Sequence, residues 1–230
     1  MLYEIRHYAI PPGRMCDIAQ RMLLDVPPLF AHHGMRAVAH WNVVAGAGLP
    51  AFLYVMEWQD AAAREAGWQR FYDDPRWWKI RARTNGRSEL VDSYALWLMK
   101  PNRAWKPPFS PLQDNISREV HEIALHQVAI GQAAAVADHI EQHLVPSIHR
   151  AGGRVLAILD VIAGPRVPTV AVFVAWPDFA SGLLRWSEAR ERPHQDFAPG
   201  AELLGRRDTY VLQPVTAGDL ARSKERSALP

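Results

Sequence analysis

The 230-residue chain has a single cysteine, no surplus of either charge, and no apolar run of about 18 residues or more. Cys16 on its own forms no internal disulfide, which fits a reducing, cytoplasmic setting. Lys and Arg number 26 against 24 Asp and Glu, a formal net charge of +2. That balance argues against a nucleic-acid footprint and against an anionic membrane partner. The N-terminal residues lack a basic stretch leading into an apolar one, so no signal peptide is expected. No G-x-G-x-x-G, Walker loop or G-x-S-x-G occurs, so no nucleotide cofactor is expected. What the chain does have is tryptophan: nine, against seven Phe and six Tyr. A buried indole needs an acceptor for its N–H, so the placement of these nine carries information.

An internal repeat organises the chain. Val43–Asp60 is echoed by Val161–Asp178, with Trp58 and Trp176 separated by 118 residues. The same offset aligns Glu4 with Glu122, Gly13 with Gly131, Pro28 with Pro146, Arg36 with Arg154, Trp68 with Trp186 and Pro75 with Pro193. Each copy reads β-α-β-β-α-β. In the first, strand Leu2–Ile10 precedes a helix over Arg14–His33, which Gly34 ends in a left-handed conformation. Strands Arg36–Val44 and Ala51–Trp58 follow, then helical pieces Ala61–Tyr72, capped by Asp60, and Pro75–Arg83, then strand Glu89–Met99. The second copy repeats this with strand Glu119–Val128, helix Ile130–Arg150, strands Arg154–Ile162 and Thr169–Trp176, helix Phe179–Glu191 and strand Arg207–Gln213.

The expected layout is a first unit over residues 1–100, a Pro-rich linker over 101–117, a diverged second unit over 118–214 and a polar tail over 215–230. A βαββαβ unit leaves one sheet face bare. Two copies solve this together, so the expected fold class is α+β: two tandem ferredoxin-like units forming an intramolecular dimeric α/β barrel.

Tyr3-Glu4-Ile5-Arg6, Pro12-Gly13, His33-Gly34, Ala39-His40-Trp41 and Asp74-Pro75-Arg76-Trp77 follow one another in the order and spacing of the NIPSNAP family, which the first unit resembles. The second unit resembles it more faintly, with Ala151-Gly152 in place of His-Gly. His40 stands where the family usually has a small or aromatic residue, and Trp78 is an additional aromatic. The resemblance implies the dimeric α/β-barrel fold. It implies no single reaction, because that superfamily includes cofactor-free oxygenases, isomerases and haem-binding proteins.

Trp58 and Trp68 recur as Trp176 and Trp186 and read as scaffold. Trp41, Trp77, Trp78 and Trp97 occur in the first copy alone, which points to that copy as the one holding a site. Unbroken alternation along Arg36–Val44 places Arg36, His40 and Asn42 on one face, and Phe52, Tyr54, Met56 and Trp58 share a face of the next strand. The expected pocket gathers His33, Trp41, Asn42, Tyr54, Trp77, Trp78 and Arg81 as substrate-binding residues, with His40 moving a proton and Arg36 or Arg81 holding an anionic group. Each has a structural reading beside the functional one. Arg36 and Arg154 suit ion pairs with Glu4 and Glu122, His40 suits a hydrogen-bonded buried imidazole, and His33 suits a helix C-terminus. His139 and His143 have a metal-ligand spacing but read as a solvated face, and no metal site is expected.

The function expected is a small-molecule enzyme, an oxygenase, isomerase or related proton-transfer catalyst. Its substrate is an apolar or aromatic molecule bound in the first unit. The alternatives are a non-catalytic protein binding haem or another apolar ligand, with His33 or His40 as axial ligand, and a protein-interaction scaffold. A homodimer of the tandem chain is compatible with each.

Overall fold

A computed structural model describes residues 1–109, 119–184, 186, 203–216 and 220. The chain divides into two compact units, residues 1–96 with 214–230, and residues 97–213. Expectations for residues 110–117 of the linker, for residues 185 and 187–191 of the helix expected over Phe179–Glu191, for Pro193 and for most of the tail lie outside the described residues.

In the first unit, β1 (Leu2–Ala9) and β2 (Arg36–Ala45) flank β3 (Ala51–Trp58), both antiparallel to it. Opposed residues share a face, so the pairs Glu4↔Met56, Arg6↔Tyr54 and Tyr8↔Phe52 put Glu4, Arg6 and Tyr8 beside Phe52, Tyr54 and Met56. β4 (Ser93–Pro101) follows, entered through a hydrogen bond from Asp92 N–H to Ala9 O at 3.0 Å.

The helix expected over Arg14–His33 is three pieces. α1 (Met15–Gln20) passes into a π-helical turn, Arg21–Asp25, and then α2 (Pro27–His32). Pro27 and Pro28 have no N–H to donate, and Val26 N–H reaches back five residues to Arg21 O at 2.9 Å. Gly34 takes φ 68° after α2, the left-handed end expected of it. α3 (Ala61–Asp73) starts at Asp60, whose carboxylate accepts from Ala63 N–H at 2.8 Å, and α4 (Pro75–Asn85) starts at Asp74, which accepts from Arg76 N–H at 2.8 Å. α3 packs close on β3 because residue 67 is glycine: a Cβ there would lie 2.6 Å from Trp58 Cζ3.

β2 carries a bulge between Ala37 and Ala39. Arg36 opposes Glu57 while His40 opposes Tyr54, so the extra residue reverses the alternation between them. Arg36 and His40 therefore point to opposite faces, not to one.

In the second unit, β5 (Val120–Val128) lies between β7 (Thr169–Trp176) and β8 (Leu204–Pro214), and β6 (Arg154–Ala163) pairs with β7 on its other side. β6 is bulged between Val155 and Ala157 and pairs on its outer edge with Leu98–Pro101 of β4. The strand expected over Glu89–Met99 thus starts later and runs into the segment expected to be linker, where Asn102 and Phe109 are buried. α5 (Ala133–His139), a π turn over Ile140–Leu144 and α6 (Val145–Arg150) replace the single helix expected. From the tail, Val215 and Leu220 are buried, and Val215 N–H donates to His40 O at 3.1 Å within the first unit. Among the described residues no helix is long and apolar enough to cross a membrane.

Candidate functional site

A cavity of about 500 Å³ lies within the first unit over the face of β1 and β3 that carries Arg6, Tyr8 and Tyr54. Its walls come from the turn after α1 (Arg21, Met22, Val26), from α2 to α4 (Phe30, Trp68, Phe71, Tyr72, Trp77, Trp78, Arg81) and from the segment Glu89–Tyr94. An apolar, aromatic lining with a few converging polar groups is the usual composition of a small-molecule site.

The floor is built from Glu4 outward. This carboxylate is fully buried, and five N–H groups donate to it: Arg6 Nε (2.8 Å), Arg64 Nε (2.8 Å) and Nη2 (3.1 Å), Trp58 Nε1 (3.1 Å) and Trp68 Nε1 (3.0 Å). Burial raises its pKa, but Arg64, Arg6 and Trp68 outweigh that and hold it below its ordinary value. The shared tryptophans are therefore more than packing, since their indole N–H groups hold an anion.

Arg6, fixed at its base by Glu4, lies 3.7 Å above the Trp68 ring and donates from Nη1 to the hydroxyls of Tyr8 and Tyr72, each at 3.3 Å. Tyr8 and Tyr54 share a further hydrogen bond at 2.7 Å. Burial opposes the Arg6 charge, but Tyr54, Tyr8 and Glu4 hold its pKa above the ordinary range. Burial pushes the Tyr54 phenol well up, and Tyr72 is raised for the same reason, so both keep their protons at neutral pH.

Of the residues singled out from the sequence, Tyr54, Trp77, Trp78 and Arg81 line this cavity, and the others do not. Arg36 is 68% exposed and paired with Glu57 at 2.8 Å, not with Glu4, while Arg154 pairs with Glu119. The bulge accounts for this by turning Arg36 to the other face. Trp41 is fully buried on the face opposite His40. His40 is stacked on Tyr54 at 5.9 Å, outside the lining, and neither its Nε2 nor the Oδ1 of Asn42 has a hydrogen-bond partner among the described residues. His33 is engaged elsewhere, through Nε2 to Asp74 Oδ2 at 2.9 Å.

His40 is 7% exposed, and burial lowers its pKa to about 4. Its folded value lies below the unfolded one near 6.5, so the unfolded chain takes up a proton first and stability falls as pH drops from about 6.5 towards 4. The expected loss is about 2–3 kcal/mol at pH 4.5 relative to pH 7. Replacing His40 by Leu is expected to remove that part of the slope in denaturant titrations at the two pH values.

Ligand atoms of His32, His33 and Asp74 lie within 4.8 Å of one another, a geometry open to a cation. Asp74 is already bound by Arg76, through Nη2 at 2.6 Å and Nε at 3.0 Å, and this cation holds its pKa well below the carboxylate range. A metal ion there would have to displace Arg76.

The second unit has a smaller cavity of about 180 Å³ in the corresponding place, with different chemistry. At the 118-residue offset Arg6 becomes Ala124, Tyr8 becomes His126, Arg21 becomes His139 and Tyr54 becomes Val172. His139 is buried and His143 half-buried, both lining this cavity, so they do not form the solvated face expected of them. Glu122 accepts from Trp176 Nε1 at 3.1 Å, but burial dominates there and its pKa is raised. The same position is thus a stabilised anion in one unit and a strained one in the other.

Residues 3–103 match the family model described as NIPSNAP. No curated protein matches the chain. Among solved structures, a proposed monooxygenase from Lactobacillus acidophilus aligns over 93% of both chains at 11% identity with a TM-score of 0.56. A proposed monooxygenase from Fusobacterium nucleatum aligns over 94% of this chain and 92% of its own at 9% identity and TM-score 0.53. A chlorite dismutase from Candidatus Nitrospira defluvii aligns over 96% and 94% at 8% identity and TM-score 0.54. At such identities the likeness speaks for the fold alone. The fold is α+β, of two tandem ferredoxin-like units, in the dimeric α/β-barrel class.

Proposed function

With residues 3–103 a NIPSNAP domain, we propose that the first unit is the working half of a small-molecule enzyme. It moves a proton on an apolar or aromatic substrate and uses no nucleotide cofactor. The observation that carries this reading is the Arg6 guanidinium joining the Tyr8 and Tyr72 phenols at the floor of an aromatic cavity.

The chemistry follows from which groups hold protons. Tyr54 and Tyr72 stay protonated, and Arg6 donates to the oxygen of Tyr8. With Tyr54 donating to that same oxygen, the O–H of Tyr8 is left to donate into the cavity, strengthened by two incoming hydrogen bonds. Such a donor stabilises negative charge developing on a substrate carbonyl or phenol oxygen. Asp92 lines the cavity and makes no ion pair among the described residues, which suits a general base. In the step, a C–H proton beside a carbonyl passes to Asp92, the C–H pair forms a C=C bond, the carbonyl π pair moves onto its oxygen, and Tyr8 holds the resulting oxyanion. Where the substrate carries a β,γ double bond, return of the proton to the γ-carbon gives isomerisation. The two proposed monooxygenases of the same fold act by their names on oxygen chemistry, and formation of a substrate anion is a first step open to that class as well.

Haem is a poor fit to this cavity. The axial ligands that the sequence offered are His33, which is bonded to Asp74, and His40, which is buried behind Tyr54; neither is in the lining.

A panel of aryl ketones and aryl 2-oxo acids in D₂O tests the reading by proton NMR. Saturable loss of the signal beside the carbonyl is expected with the native protein, and Asp92→Asn is expected to slow it at least tenfold. No catalysed exchange for any member, or full exchange in Asp92→Asn, counts against it.

A further inference from the structure

We propose that the ligand of the first unit's cavity carries an anionic group, of the carboxylate class, and that Arg21 receives it. The inference rests on the cavity being a small-molecule site and adds the charge of what it takes.

Arg21 is 4% exposed and lies at the start of the π-helical turn, where it lines the cavity. A guanidinium removed from water needs an anion or a full set of acceptors. The acceptors it has are neutral: Nε donates to Thr84 Oγ1 at 2.7 Å and Nη2 to Asn85 Oδ1 at 2.5 Å. Nη1 has no acceptor among the described residues. The carboxylates around it are committed elsewhere. Glu89 is held by Arg81 at 2.7 Å and by Asn85 Nδ2 at 2.8 Å, and Asp25 is paired with Arg83 at 2.8 Å. Asp17 is paired with Arg14, and Asp92 makes no ion pair with Arg21. Burial, with Arg81 adding like charge, outweighs the opposing pull of Tyr8 and Glu89 and lowers the pKa of Arg21 to about 10, so it remains a cation at neutral pH but an incompletely compensated one.

Arg6 differs in this respect. Its charge is matched by Glu4 at 2.8 Å, so it serves the phenols and does not call for an anion from outside. Arg81 is matched by Glu89. Arg21 is thus the guanidinium of the lining that makes no ion pair with a described side chain. A planar fork with Nη1 open fits one oxygen of a carboxylate, and the Trp77 ring, 5.9 Å from the guanidinium carbon, offers an adjacent aromatic surface. The class that matches both is an arylalkanoate or aryl 2-oxo acid, bound with its ring among the aromatics and its carboxylate at Arg21. In the second unit the corresponding residue is His139, so the preference belongs to the first cavity.

Isothermal titration with 3-phenylpropanoate and its neutral isostere 3-phenylpropanamide at pH 7 tests this. The native protein is expected to bind the acid at least tenfold more tightly than the amide. Arg21→Gln is expected to bring the two within about twofold, leaving the amide affinity unchanged within threefold. The circular dichroism melt reports whether that variant folds; if it does not, the acid-to-amide ratio of the native protein decides alone. Equal affinities in the native protein, or a preference for the acid that survives Arg21→Gln, overturn the assignment while the cavity stands. Binding of neither probe overturns both the assignment and the cavity. Tight binding of the acid without proton exchange leaves this inference intact and removes only the proton-transfer reading.

Discussion

Glu4→Gln is expected to lower the stability of the first unit by about 3–5 kcal/mol, the cost typical of removing one partner from a buried charged cluster. The carboxylate is fully buried and receives N–H groups from Arg6, Arg64, Trp58 and Trp68. A neutral amide of the same shape has one acceptor oxygen and would turn an N–H group towards donors. Two guanidiniums would then stay partly buried without their anion. The change at the same repeat position of the second unit provides the contrast. Burial already works against the Glu122 charge, so Glu122→Gln is expected to cost about 1 kcal/mol or less. Amide hydrogen exchange followed strand by strand separates the units. Protection should collapse in β1 and β3 for Glu4→Gln and change little in β5 and β7 for Glu122→Gln. Equal losses in both would count against the cluster as the keystone of the first unit.

Acid separates the two positions in the opposite senses that their shifts require. Glu4 has a folded pKa below its unfolded value, so its contribution is complete above the unfolded value and disappears as pH falls through the folded one. Glu122 has a raised folded pKa, so its contribution is complete below the unfolded value and is lost as pH rises through the folded one. As pH falls, the second unit regains the Glu122 contribution before the unfolded carboxylate value near 4.5 is reached, and the first unit loses that of Glu4 below it.

Tyr8→Phe is expected to reduce catalysed proton exchange by 10²–10³-fold, about the cost of one donor to a developing oxyanion. The hydroxyl is removed without changing the shape of the wall, and Arg6 keeps Glu4 and Tyr72, so binding of the ligand should change little. The comparison that gives the result its meaning is His40→Gln. From sequence His40 is the proton-moving residue; in the structure it stacks behind Tyr54 and is absent from the cavity lining. His40→Gln is therefore expected to leave exchange within about threefold of the native rate. The opposite pattern, with Tyr8→Phe active and His40→Gln inactive, would return the chemistry to β2.

The misplacement of His40 and Arg36 has a specific origin. Counting alternate residues along a strand is reliable only while the pleat is unbroken, and the bulge between Ala37 and Ala39 breaks it between these two. Nothing in Arg36-Ala37-Val38-Ala39-His40 marks a bulge, because none of these residues is glycine or proline. Arg6, Tyr8 and Arg21 were missed for another reason. They sit in a strand and a helix that read as regular, and only the joining of β1, β3 and the turn after α1 makes them neighbours. A signal was nevertheless present. At the 118-residue offset each is replaced by a residue of different chemistry, Ala124, His126 and His139, the same asymmetry that drew attention to Trp77 and Trp78.

By itself the sequence determined what depends on near neighbours along the chain. The period of the apolar residues set the element order, Asp60 and Asp74 set helix starts, and Gly34 set a helix end, because each acts on groups a few residues away. The offset of 118 residues and the short motifs of the first unit pointed in the same way to a ferredoxin-like fold and to the NIPSNAP family, whose model matches residues 3–103. Only the tertiary structure decided which charges are balanced. Glu4 meets Arg64 and Trp68 across 60 and 64 residues, Arg6 meets Tyr72 across 66, and Arg21 meets Asn85 across 64. Burial turns those distant pairings into strong interactions, and so it fixed which cation stays matched and which one is left facing the cavity.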